Sequence, residues 1–153
     1  MSMTRRAAII RMASFGLACG TALMFPLRAL AERVDLAFNS YTDNDVLAGL
    51  FGDRRPVISD QVIMKAPAIA ENGAVVPIKV RTDLPKVQSI SILAKENPQP
   101  LAISFLIPEG TKADISTRIR LAKTTLVTAV VEADGQLYSS EQEVKVTIGG
   151  CGG

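Results

Sequence analysis

The chain has no histidine and no tryptophan, and aromatic residues of any kind make up only 5%. Without histidine there is no Ser-His-Asp or Cys-His constellation, and the residue that most often ligates metals is missing. Cysteine is nearly absent too: there are two, Cys19 and Cys151. With Cys19 in a stretch expected to be removed, the one cysteine left, without histidine, cannot build a soft-metal site. No run of apolar residues reaches the ~20 that a membrane-spanning helix needs. The glycines do not follow a strand and open a helix, so they form no phosphate loop. Glu71, Asp83, Glu96 and Glu109 fall near predicted turns and read as solvated side chains, not as an acid/base pair.

What is present begins with an export leader. Arg5-Arg6 precede an apolar stretch, Arg11 closes the charged region, and Met12 to Leu27 is mostly apolar and small. Ala29-Leu30-Ala31 fits a small-x-small cleavage site, so residues 1–31 are expected to be a signal peptide of twin-arginine type, with the mature chain starting at Glu32. Ala8 stands where that type often has an aromatic residue, which leaves the general secretory route open. Gly16, three before Cys19, does not suit a lipoprotein signal. The expected destination is the periplasm, with no membrane attachment after cleavage. Cleavage removes Arg5, Arg6, Arg11 and Arg28, taking Lys+Arg from 17 to 13 against 15 acids. A mildly acidic body argues against nucleic-acid binding.

The body, residues 32–148, reads as one domain. Glu32 to Tyr41 is a lead-in. Asp43-Asn44-Asp45 favour a helix start and Gly52 a stop, with Leu47, Leu50 and Phe51 on the docking face. Strand patterns follow at Gln61–Lys65, Ala74–Arg81, Val87–Ala94, Leu101–Ile107, the alternating run around Ile115 to Leu121, Thr124–Glu132 and a last run ending at Ile148. Asn72-Gly73 and Asp134-Gly135 read as tight hairpin turns. Pro77 suggests an edge or a bulge. The continuous apolar run Leu101–Ile107 suggests a strand buried on both faces. Lys79, Arg81, Arg118 and Arg120 are expected to guard sheet edges. About seven short strands joined by turns predict an all-β, immunoglobulin-like antiparallel sandwich with a short N-terminal helix.

The chain closes on Gly149-Gly150-Cys151-Gly152-Gly153. Nothing in these five residues can pack, so residues 149–153 read as a soft arm on a rigid body. After cleavage Cys151 is the one cysteine left, in a compartment where cysteines are usually paired. No neighbour in sequence lowers its pKa, so it suits a handle better than a catalyst. From the residues alone three readings stay open: a covalent carrier of a small group, an intermolecular disulfide in an exported structural or adhesion domain, and an incidental tail.

The tail from Val144 to Gly153 resembles the C-terminus of the SoxY family, the sulfur-carrier subunits of bacterial sulfur oxidation. The segment Ile69 to Ile78 resembles a family segment, and the leader fits as well. The resemblance implies an immunoglobulin-like sandwich that is not itself an enzyme and carries no cofactor or metal. It implies a heterodimer with a SoxZ-like subunit. Thiosulfate would be attached oxidatively to Cys151 by a SoxAX-like cytochrome. A SoxB-like thiohydrolase would release sulfate, and a sulfur dehydrogenase would oxidise the remaining sulfane. Cys151 would be the attachment site, with Gly149, Gly150, Gly152 and Gly153 as the flexible arm. A disulfide-linked dimer through Cys151 is a further expectation.

Overall fold

The computed structural model describes residues 35–147. The chain divides between Asp35 and Leu36, and the description below concerns the second unit. Part of the expected lead-in is helical, at residues 35–38. Helix α1 (Asp43–Phe51) follows. Its N-cap is Thr42, whose Oγ1 accepts from the Asp45 amide at 3.2 Å and donates to the Asp45 carboxylate at 2.7 Å. Gly52 ends the helix, its amide donating to the Ala48 carbonyl at 2.9 Å. Val46 and Phe51 are buried, while Leu47 and Leu50 are partly buried beside them.

Among the described residues, nine strands follow. They are β1 (Val57–Ile58), β2 (Val62–Lys65), β3 (Ile69–Ala70), β4 (Val76–Thr82), β5 (Val87–Ala94), β6 (Leu101–Leu106), β7 (Asp114–Ile119), β8 (Thr125–Ala133) and β9 (Gln136–Val146). Two are two-residue pieces, which leaves the seven longer strands expected from the sequence. The large sheet runs β1-β9-β8-β5-β6, with β3 also on β9, and the small sheet runs β2-β4-β7. Pairing is antiparallel except that β1 and β3 lie parallel to β9. The expected all-β, immunoglobulin-like sandwich is what the chain forms.

Side chains from both sheets make the main core. Val76, Ile78 and Val80 of β4 meet Ile90, Ile92, Val127, Ala129 and Val131 of the large sheet, all at most 1% exposed. Helix α1 covers the other face of the large sheet, where Val46 and Phe51 pack with Leu93, Leu101, Val130 and Leu137. The strands buried on both faces are therefore β5 and β8, between the helix and the second sheet. Val130 and Val131, neighbours in sequence, are both fully buried.

Four expectations change. The apolar run Leu101–Leu106 is not a central strand. It is β6, an edge, and Leu106 is 85% exposed. An apolar run shows that a strand is apolar, not where the topology puts it. Asn72-Gly73 does not close a hairpin. Asn72 Oδ1 accepts from the Ala74 amide at 2.9 Å, and the chain passes from β3 on one sheet to β4 on the other. Lys79 and Arg81 guard no edge either, because β4 is the middle strand of its sheet. Pro77 is tolerated in that middle strand for a local reason. The pairing of β2 with β4 ends at Lys65↔Lys79, so on that side no strand faces Pro77. Asp134-Gly135 does make the expected tight turn, with φ of 50° and 76° joining β8 to β9.

Candidate functional site

Cys151, Gly149, Gly150, Gly152 and Gly153 lie outside the described residues, as do Ile148 and the leader with Cys19. What the structure places is the end of β9, the strand that precedes Ile148 and the tail in sequence. Antiparallel pairing between β8 and β9 starts at the Asp134-Gly135 turn and ends at Thr125↔Val144. Three residues of chain beyond Val144 are then held from both sides. The amides of Lys145 and Thr147 donate to the carbonyls of Ala68 and Ala70, at 3.0 and 3.1 Å. Between them the Val146 amide points the other way and donates to Thr124 Oγ1 at 3.0 Å. Each of these three backbone donors is satisfied, so order in β9 extends to Thr147. Cys151 is four residues further on, a reach of up to roughly 13–14 Å.

The surroundings of this root are fastened by side chains. Asn97 Nδ2 donates to the Arg120 carbonyl at 2.8 Å, and its Oδ1 accepts from the Ala122 amide at 2.9 Å. One amide side chain thus holds the first half of the connection between β7 and β8. Thr125 Oγ1 accepts from the Glu96 amide at 2.9 Å. The hydrogen bond and charge of Lys123, 2.9 Å away, hold the Glu96 carboxyl below its ordinary range. Beneath β9 the Leu121 amide donates to the Gly73 carbonyl at 2.7 Å. A Cβ on Gly73 would fall 2.5 Å from the Leu121 oxygen and 2.8 Å from Val146 Cγ1. Gly73 is needed for close approach, not for a turn of unusual φ.

Sequence reasoning singled out Cys151 and the glycines, which lie outside the described residues, and missed Thr124, Asn97, Ala70 and the role of Gly73. Asn97 was legible only as part of a chain break. Its bonds span 23 to 25 residues, and no local pattern encodes such partners. The four acids read as solvated are exposed. Among the described residues, no cluster of three or more acids or thiols is placed to hold a metal ion.

Comparison with known proteins bears on the same stretch. The family described as "Sulfur oxidation protein SoxY" matches residues 47–151, a span that includes both the end of β9 and Cys151. Among solved structures, the sulfur carrier protein SoxY from Chlorobium limicola f thiosulfatophilum is similar at 43% identity and a TM-score of 0.63, over 69% of this chain and 96% of that one. A chain from a structure of T cell specificity and activation by the bacterial superantigen toxic shock syndrome toxin-1 is a far weaker likeness at 9% identity, with a TM-score of 0.41 over 56% of this chain and 99% of that one. No curated protein matches. The family match over more than half of the chain, together with a 43% identical relative, shows that this chain belongs to the SoxY family of sulfur-oxidation proteins.

Proposed function

We propose that this protein is a carrier of sulfur intermediates in thiosulfate oxidation, with Cys151 as the point of covalent attachment. The observation that carries the reading is the end of β9. A strand whose last amides are all bonded hands over, at Thr147, to a segment of glycines around one thiol. In the loading step the Cys151 thiolate and the outer sulfur of thiosulfate form an S–S bond. Two electrons leave to a SoxAX-like cytochrome, giving Cβ–Sγ–S–SO₃⁻ on Cys151. Water then cleaves the bond between sulfane and sulfonate on a SoxB-like thiohydrolase, releasing sulfate and two protons and leaving a persulfide. A sulfur dehydrogenase takes six electrons from that sulfane while three waters supply its oxygens and six protons leave, giving Cys151 S–SO₃⁻, and a second hydrolysis releases sulfate and two protons and restores the thiolate.

The chain itself supplies attachment, reach and positioning, and partner enzymes supply the bond-making chemistry. Glycines at 149, 150, 152 and 153 leave the arm thin enough for a narrow active site. Ordering them costs about 1–2 kcal/mol each, which keeps docking reversible. Covalent tethering raises the local concentration of the intermediate at each enzyme. The proposal includes removal of residues 1–31, a periplasmic location and a heterodimer with a SoxZ-like subunit.

Intact-mass spectrometry on the native protein, without reductant and after growth on thiosulfate, tests it. Adducts of sulfur or thiosulfonate mass that localise to Cys151 and vanish with reductant are expected, on a chain that starts at Glu32. Replacing Cys151 by Ser should abolish thiosulfate-dependent turnover with the fold intact. A clean thiol or a simple disulfide dimer in cells whose partner enzymes are active would overturn the carrier assignment.

A further inference from the structure

The outer face of the small sheet is strongly positive. Exposure alternates along β2, β4 and β7, so eight positions point outward: Ile63, Lys65, Pro77, Lys79, Arg81, Asp114, Ser116 and Arg118. Four are cations and one is an acid. The register sets Lys65 directly opposite Lys79, and like charges in that position destabilise a strand pair. Lys79 reaches Asp114 at 3.1 Å and Arg81 reaches Asp83 at 3.6 Å. Among the described residues, Lys65 and Arg118 take part in no salt bridge. Ile63, Lys65, Lys79 and Arg81 line a depression of ≈ 290 Å³, with an apolar side chain beside three cations.

The face also has a direction. Lys65 and Lys79 lie mid-sheet, Arg118 pairs with Pro77 near the start of β4, and Arg120 is exposed just past β7. The start of β4 follows Gly73, whose backbone abuts Leu121 and Val146. The row of cations therefore climbs toward the end of the sandwich at which the arm leaves.

We infer that this face docks the acidic surface of an enzyme that acts on the arm. The inference rests on the carrier reading above and names where its client binds. Lys79 and Arg81 keep 49% and 45% of their side-chain surface in solvent, and cations so exposed hold a single small anion weakly. An extended acidic surface engages several of them at once and is steered to the face over a Debye length or more. A second copy fits less well. Its exposed acidic side chains Glu141 and Glu143 lie on β9 of the large sheet, and basic-to-acidic stacking of unlike faces gives a contact that does not close.

The test uses the full-length carrier with its partner subunit, loaded with thiosulfate, as substrate for the purified hydrolase that releases sulfate. KM for the loaded carrier is measured against ionic strength for the native protein and for Lys65→Glu/Arg118→Glu. KM of the native protein should rise with salt. The variant should start roughly tenfold higher at low salt and respond little to added salt, with kcat unchanged. Its melting and the rate at which a small neutral reagent modifies Cys151 should match the native protein. Equal KM and equal salt dependence would overturn the docking face. So would loss of the partner subunit from the variant, or a salt-sensitive self-association that the variant abolishes. Turnover that persists in Cys151→Ser would instead overturn the carrier reading, whatever the face does.

Discussion

The amide of Thr147 donates to the carbonyl of Ala70 at 3.1 Å, across a parallel pairing in which Ala70 sits beside Val146. The two-residue strand β3 is what extends order in β9 past its last pairing with β8. Replacing Thr147 by Pro removes this donor and should cost about 0.5–1.5 kcal/mol. Amide exchange at Lys145 and Val146 should speed up while exchange in β5 and β8 does not. Unchanged exchange at those two amides would mean that β3 does not hold the root.

Gly73 and Gly135 should fail for opposite reasons. Gly135 has a φ of 76° and open space around it, so Gly135→Ala costs about 1–2 kcal/mol of backbone strain, and Gly135→Asn recovers most of it. A Cβ at Gly73 collides with the Leu121 oxygen at 2.5 Å, so Gly73→Ala should cost about 1–3 kcal/mol and Gly73→Asn more. Urea unfolding of the four variants checks the crossed pattern. Recovery by Asn at both positions would remove the steric argument for Gly73.

Asp43 carries a pH signature. Burial is the largest influence on its carboxyl, and it raises the pKa above the ordinary value of 3.8. Glu96 and Glu141 add to that rise, while Lys95 opposes it. Its Oδ1 is buried without a hydrogen-bond partner. The folded state thus holds this proton more tightly than the unfolded chain, and the stability contributed by Asp43 falls as pH rises from 3.8 through the folded-state value. Asp43→Asn should be the more stable protein at pH 7, and its advantage should vanish below pH 3.8. Denaturant midpoints at both pH values decide it, and an advantage independent of pH would contradict the assignment.

Leu106, at 85% exposure on the free edge strand β6, contributes little to folding. Leu106→Lys should change stability by no more than about 0.5 kcal/mol and should reduce concentration-dependent association of the isolated chain. Sedimentation at increasing protein concentration reads this out. A large loss of stability would mean that Leu106 packs in the folded protein.

Much was legible in the sequence because it is local. Period-two alternation in β4 and β7, the Asp134-Gly135 turn and the helix closed by Gly52 are written in adjacent residues, since strand geometry and left-handed φ depend on near neighbours. The reading of the tail around Cys151 rests on the sequence alone, because those residues lie outside the described ones. The tertiary structure alone decided which apolar run lies at the centre. Leu101–Leu106 and Val87–Ala94 look equally suited to burial, yet the strand order puts one at an edge and the other between helix and sheet. It also turned Asn72-Gly73 from a hairpin into a crossing between sheets, and it brought Ala70, Gly73, Asn97 and Thr124 together around the root of β9. Those partners are distant along the chain, and only the packing of two sheets fixes which distant residues meet.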